Sequence, residues 1–276
     1  MTDADPDVLD LYQRHPISET QILGKLKAEG ADLDALTQDD LMAHDQDHYG
    51  GVPFTDALID RAGIGAETLV LDVCCGLGGP ARYIAHRMGA RVTGIDFTDS
   101  RIEGANNLSR RVGLSDKVEF RVGNALDLPF EDDSFDVVIS QEAFCHVPDK
   151  PRLISECTRV LKPGGRLAFT DILVTDATTD ATRARLAEGM AFRELASVEE
   201  YTRLLERHGC TVAFEDLGAD WTRILKDRLA MYRGLEGQTV ERFGRAHFEK
   251  WDSAYSFFVG CYDSGELGGG RLIATR

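Results

Sequence analysis

Val70-Leu71-Asp72-Val73-Cys74-Cys75-Gly76-Leu77-Gly78-Gly79-Pro80 decides how this 276-residue chain reads. The apolar run Thr68-Leu69-Val70-Leu71 predicts a buried strand. Glycines then turn the chain, and Ala81 to Met88 follows with apolar residues at helical spacing, stopped by Gly89. Strand, glycine turn and helix start together make a nucleotide site. Gly76, Gly78 and Gly79 let the backbone approach a ligand, and the first helical N–H groups lack partners inside the helix. The dinucleotide fingerprint G-x-G-x-x-G is absent, with Cys74 in the first position. That spacing disfavours a nicotinamide dehydrogenase.

A glycine turn alone says little; the strands that follow make it specific. Ala90-Arg91-Val92-Thr93-Gly94-Ile95-Asp96 ends in an acid roughly twenty residues past the turn, where a carboxylate meets ribose hydroxyls. Val118 to Ala125 reads as a third strand. The stretch from Leu128 to Ile139 holds a fourth, ending at Gln141, where open α/β sheets bind ligands. Arg159 to Leu167 leads into a fifth.

Composition sets the outer bounds. The length suits one α/β domain with additions, and a 43% apolar share is enough for a core without metals or disulfides. The formal net charge of -16 argues against nucleic-acid or anionic-membrane partners, which need clustered Lys and Arg. No apolar run is long enough to span a bilayer, and Met1-Thr2-Asp3-Ala4-Asp5 is no signal peptide, so a cytoplasmic protein is expected. The six cysteines lack zinc spacing and are read as reduced, mostly buried residues, so no metal is expected.

Residues 1 to 30 read as helical, one short piece carrying Leu9, Leu11 and Tyr12, a second starting at Ser18-Glu19-Thr20-Gln21. A capped turn follows at Leu36 to Leu41, then the polar loop His44-Asp45-Gln46-Asp47-His48-Tyr49-Gly50-Gly51 and a helix from Phe54 to Ala62. Past the fifth strand, Ala181 to Met190 and Ser197 to Leu205 are helical, as are Asp220 to Tyr232 and Val240 to Tyr262. The stripe Phe243, Trp251, Tyr255, Phe258 and Tyr262 is read as core against the sheet edge. The strand Gly270 to Ala274 is expected to close the sheet.

The ordered set of motifs resembles the class I S-adenosylmethionine-dependent methyltransferases over nearly the whole chain. The resemblance implies a Rossmann-like, seven-stranded, mostly parallel sheet with helices on both faces. It also implies an N-terminal helical lid over residues 1–53, a cofactor-binding domain over 54–276, and a cap insert at about 174–209 between strands five and six. Leu36 to Gly51 is more narrowly similar to sarcosine and dimethylglycine N-methyltransferases, whose like segment lies over the active site. Ile139 to Lys150 is similar to these and to phosphoethanolamine N-methyltransferases, and Gly265 to Ala274 belongs to the same likeness. Cys74 for the usual glycine and Asn124 for the more usual Asp depart from the pattern.

The implied cofactor is S-adenosylmethionine and the implied activity is methyl transfer to a small molecule, an amine of the glycine, sarcosine or dimethylglycine kind. Oxygen or sulfur acceptors, and a sensor without turnover, are the alternatives. For the cofactor, the resemblance points to Asp72 near its amino-acid end, Gly76 and Gly78 at the turn, Asp96 at the ribose, Asn124-Ala125 at adenine and Gln141 at the fourth strand's end. Phe97 packs on adenine or belongs to the core. Arg82 grips the methionine carboxylate or is simply exposed. For acceptor and catalysis it points to His146, His48 and Tyr49, with Gln46 in the same loop; a cation over Tyr49 would gain about 0.5 to 2 kcal/mol. Arg193 and Arg271 are read from charge alone as carboxylate partners. Cys145 reads as packing.

Overall fold

The computed structural model describes Pro6, Val8, Tyr12 and residues 17–276. Leu9 and Leu11 lie outside the described residues. A short N-terminal part carries α1 (Glu19–Ala28), α2 (Gln38–Leu41) and α3 (Val52–Ala62). The sheet follows as β1 (Leu69–Val73), α4 (Gly79–Met88), β2 (Arg91–Asp96), α5 (Asp99–Arg111), β3 (Val118–Val122), β4 (Phe135–Gln141), α6 (Lys150–Arg159) and β5 (Leu161–Val174). Then come α7 (Asp180–Met190), α8 (Val198–Arg207), β6 (Thr211–Asp216), α9 (Gly218–Gly234), α10 (Glu236–Phe243), α11 (Arg245–Asp263) and β7 (Leu267–Thr275).

The seven strands lie in the order β3-β2-β1-β4-β5-β7-β6. The five from β3 to β5 pair in parallel, and only β7 runs antiparallel to its neighbours. The expected class is therefore the observed one. The last strand does not close an edge, however: it enters between β5 and β6. Strand order reverses about β1 and β4, which are adjacent yet lead to opposite edges, and this is where open α/β sheets bind ligands.

Both sheet faces are covered. Leu71, Val73, Val138 and Phe169 pack with Leu153 of α6 and Tyr201 of α8, while Val70, Val92 and Ile139 pack with Leu58 of α3, Ile84 of α4 and Ala105 of α5. Burial on two faces explains why these strands read as continuous apolar runs. Ile22 and Leu26 of α1 are almost fully buried with Leu41, Leu77 and Leu108. At about 1.5–3 kcal/mol per buried side chain, this fixes the N-terminal part to the start of α4 and to α5.

The expected helix Val240 to Tyr262 is two helices. Gly244, at φ 85° and ψ 158°, cannot continue a helix and separates α10 from α11. The aromatic stripe divides there too. Phe258 and Tyr262 are core, but Phe243 is 39% exposed, and Trp251 and Tyr255 face a cavity. Among the described residues no helix is long and apolar enough to cross a membrane.

Candidate active site

A cavity of about 620 Å³ opens at the carboxyl ends of the parallel strands. Its inner wall comes from β1, β2 and β4. The apolar pattern of β1 buries four of its five residues, and Asp72 stands in that strand at 4% exposure. Its Oδ2 has no hydrogen-bond partner among the described residues. Burial, then the neighbouring charge of Asp96, pushes its carboxyl up to about 8. A buried oxygen with nothing to bond is costly unless a ligand supplies the donor.

The turn after β1 shows why its residue types matter. Cys74 takes φ 62°, a left-handed conformation that costs a side-chain-bearing residue roughly 1–2 kcal/mol and explains why glycine is the commoner choice there. Gly78 caps α4 at φ 71°, and a Cβ on it would meet the Phe120 ring at 2.2 Å. The N–H of Gly76 donates to Asp96 Oδ2 at 3.0 Å, and the N–H of Thr98 donates to Oδ1 at 2.9 Å. The turn and the acid that ends β2 are thus one unit. Each carboxylate oxygen keeps a second lone pair for a diol.

Several expected residues sit elsewhere than the sequence suggests. Arg82 is neither exposed nor in the cavity wall. It is fully buried and spends its donors on Asp45 Oδ2 (2.8 Å) and the carbonyls of Leu77 (2.6 Å) and Ala105 (3.3 Å). Gly78 is absent from the lining, behind Phe120. Asn124 and Ala125 are absent as well. Asn124 Oδ1 accepts the Leu126 N–H at 2.9 Å, closing a turn past β3. Arg271 is buried outside the lining, donating to Glu215 Oε2 at 2.6 Å. Asp72, Gly76, Asp96, Phe97 and Gln141 do line the cavity.

The loop from His44 to Gly51 covers this wall. The Asp45–Arg82 ion pair has no exposed side-chain surface, and a Cβ on Gly79 would meet the Asp45 carbonyl at 2.1 Å, so the loop rests directly on the helix start. Gln46 is not a lining residue. Its Nε2 donates to Asp45 Oδ1 at 2.8 Å and its Oε1 meets His48 Nε2 at 3.0 Å. His48 Nδ1 lies 3.1 Å from the Gln141 amide nitrogen. The same Nδ1 lies 3.3 Å from the Tyr49 carbonyl. Burial holds His48 down to about 4, so it is neutral at physiological pH. With both ring nitrogens taken by protein, His48 ties the loop to β4 and is not free to move a proton. The N–H of Tyr49 donates to Glu142 Oε2 at 2.5 Å, and Arg228 of α9 donates to the carbonyls of His48 (2.8 Å) and Asp47 (3.3 Å).

Glu142 is a lining residue that sequence reasoning passed over, although it directly follows Gln141. It sits at φ 47°, accepts from Thr170 Oγ1 at 2.6 Å, and burial pushes its carboxyl up to about 7. His146 ends a short 3-10 turn, Phe144–His146, and its Nδ1 lies 3.0 Å from the Ala191 carbonyl. A carbonyl only accepts, so in the neutral ring Nδ1 holds the proton. The ring is packed between Tyr12 (5.5 Å) and Phe192 (5.3 Å). Arg193 also lines the cavity, its N–H donating to the Cys145 carbonyl at 2.9 Å. Cys145 is wholly buried and its thiol is pushed well up by burial, which fits packing.

The outer wall comes from α7, α9 and α11. Tyr232, Trp251 and Tyr255 form its aromatic face, with Trp251 and Tyr255 stacked at 5.0 Å and 19°. Sequence periodicity placed them on helices but had no signal for which side of α11 meets a cavity. Among the described residues no group of three His, Cys, Asp or Glu side chains could hold a metal.

These residues suit S-adenosylmethionine: a buried, unpartnered Asp72 oxygen for an ammonium, the Asp96 carboxylate for a ribose diol, and a glycine turn at a helix start. A methyltransferase-domain family model matches residues 71–169. The 27-O-demethylrifamycin SV methyltransferase of Amycolatopsis mediterranei is 33% identical over 71% of this chain and 73% of its own length. The glycine/sarcosine/dimethylglycine N-methyltransferase of Actinopolyspora halophila is 33% identical over 68% of this chain, but over 34% of its own. The chain spans between 27% and 73% of the curated relatives that it matches. The solved structure of Haemonchus contortus phosphoethanolamine N-methyltransferase 2 with S-adenosyl-L-methionine superposes with a TM-score of 0.78 at 19% identity, over 100% of this chain and 60% of that one, a likeness of fold. One residue in three shared along most of a named methyltransferase, on a sheet with an acid-lined cleft at its switch point, means that the chain belongs to the S-adenosylmethionine-dependent methyltransferases.

Proposed function

We propose that this protein methylates a small-molecule amine. The observation that carries the reading is that Glu142 and an aromatic face (Tyr49, Trp251, Tyr255) line the same cavity as the cofactor-type acids Asp72 and Asp96. Bound S-adenosylmethionine supplies a methyl group already activated by its sulfonium. The chain's own work is to bind, align and exclude water, and alignment alone can contribute roughly 7–11 kcal/mol. Asp72 takes the cofactor's ammonium on its unpartnered oxygen, and Asp96 takes the ribose hydroxyls. The loop from Asp45 to Tyr49 closes the site, in line with a lid over residues 1–53 and a cap at about 174–209.

An amine reacts as the neutral base and becomes a cation. Glu142 as carboxylate offsets that charge, and a ring face adds about 0.5 to 2 kcal/mol for a methylated nitrogen. His146, in the lining of the same cavity, accepts the proton that a primary or secondary amine must lose, a contribution of about 10²–10⁴ in rate. The name of the halophile relative supports an amine as well. The cytoplasmic setting expected from the sequence remains part of this reading, supported by six free cysteines.

A hydroxyl acceptor is the second reading. It is favoured by the Glu142 carboxyl near 7, a suitable general base, and by the rifamycin relative. The test is labelled methyl transfer from S-adenosylmethionine to paired amines and alcohols of equal size. Label on the amines alone is expected. Label on oxygen replaces the amine by the hydroxyl, and a bound cofactor with no label on any acceptor points to a sensor.

A further inference from the structure

The outer wall carries two cationic side chains, Arg228 on α9 and Lys250 on α11, with the His247 imidazole beside Lys250 on the same helix. Among the described residues Arg228 donates to loop carbonyls and lies over the Tyr49 ring, and the His247 ring meets that of Phe243. None of the three has a carboxylate partner among the described residues. Carboxylates were abundant, since the chain has 47 Asp and Glu against 31 Lys and Arg. Lys250 is solvent-exposed as well as lining the cavity, and a cation so placed in so acidic a protein suits an anion brought by the ligand.

Their position sets a length. Tyr262, in the last turn of α11, packs in one core cluster with Cys145, whose thiol donates to the Glu142 carbonyl at 3.5 Å. Lys250 lies twelve residues earlier on the same helix, about 18 Å along the axis. The stacked Trp251 and Tyr255 lie between. An acceptor as short as glycine cannot touch both ends.

We propose that the acceptor is an extended molecule with a carboxylate or phosphate at its far end, bound by Lys250 and His247, its apolar middle along Trp251 and Tyr255 and its nucleophile beside Glu142. The inference rests on the amine reading only for the atom that is methylated. Its test is a series of ω-amino acids of two to eight carbons, each with its neutral amide, and the matching ω-hydroxy acids and ω-amino phosphonates. Transfer from S-adenosylmethionine is measured for each with the whole protein. The longer acids should exceed their amides in kcat/KM by about tenfold or more, and Lys250→Glu should abolish or invert that ratio while His247→Gln lowers it a few-fold. Carboxylate against phosphonate separates the two anions. Equal use of acid and amide, or an acid-to-amide ratio unchanged in Lys250→Glu, overturns the proposal. Label on hydroxy acids but not amino acids overturns the amine reading and leaves the anionic end standing. If no compound is labelled, calorimetric binding of 8-aminooctanoate and its amide in the presence of S-adenosylhomocysteine decides. A tenfold preference for the acid, lost in Lys250→Glu, upholds the inference, and equal affinity or no binding overturns it.

Discussion

The two walls of the cavity are built by opposite means. The inner wall is strand ends and turns, its ligand-facing groups being two acids placed by β1 and β2, Asp72 buried and Asp96 half-buried. The outer wall is side chains on helices that enter between β5 and β6 or between β6 and β7. Backbone geometry tolerates little change, whereas a helix face accepts new side chains without refolding. A family can therefore keep one cofactor and vary its acceptors, and the contrast predicts where substitutions hurt.

The largest effect should come from the clamp between the lid and the inner wall. Arg82→Met leaves the Asp45 carboxylate buried and unpaired, which should cost about 3–5 kcal/mol of folding stability, measured by urea unfolding. The double variant with Asp45→Asn should recover much of it. A cost under 1 kcal/mol would mean that lid and inner wall are not joined there. Next is Asp96→Ala, which also strands the Gly76 and Thr98 N–H groups. At about 1.5–3 kcal/mol per charged hydrogen bond, affinity for S-adenosylhomocysteine should fall about 100-fold by calorimetry.

A pH titration sharpens the contrast further. Asp72 and Glu142 hold their protons to about 8 and about 7 when folded, but release them near 4 to 4.5 when unfolded. Between those limits these two groups bind more protons in the folded state, so they make stability of the ligand-free protein fall as pH rises from about 4 to 8, outweighing the opposite slope of His48 between about 4 and 6.5. The slope should approach 1.4 kcal/mol per pH unit for each carboxyl. Glu142→Gln should flatten the part below pH 7 and Asp72→Asn the part reaching to 8, in urea midpoints across pH. A wild-type profile that rises over this range would show that neither acid is desolvated. The smallest effect is expected at Asn124→Ala, less than about threefold in cofactor affinity, since Asn124 is absent from the cavity lining and its Oδ1 closes a local turn. A loss as large as that of Asp96→Ala would move adenine to the end of β3.

Much of the inner wall was legible in the sequence because it is local. The apolar runs of β1 and β2, the glycines between strand and helix, and Asp96 some twenty residues on are all short-range patterns. Short-range pattern failed wherever a side chain's partner came from afar. Arg82 looks like an exposed first-turn arginine until Asp45, thirty-seven residues back, is folded over it. Gln46 and His48 look like free polar groups until Thr55 and Gln141 close their network. Glu142 carries no local signal in the sequence, because its environment comes from Tyr49 and Thr170.

The sequence by itself determined the parallel sheet, the turn, the acid that ends β2 and the kind of loop that covers them. Each follows from periodicity, glycine conformation or a fixed spacing along the chain. Only the tertiary structure decided that β7 enters inside the sheet, that Arg82 faces inward to the lid, and that Trp251, Tyr255, His247 and Lys250 share the cavity with Glu142. The physical reason is that a helix pattern says which residues lie on one side, but burial against other elements says whether that side meets core, ligand or water.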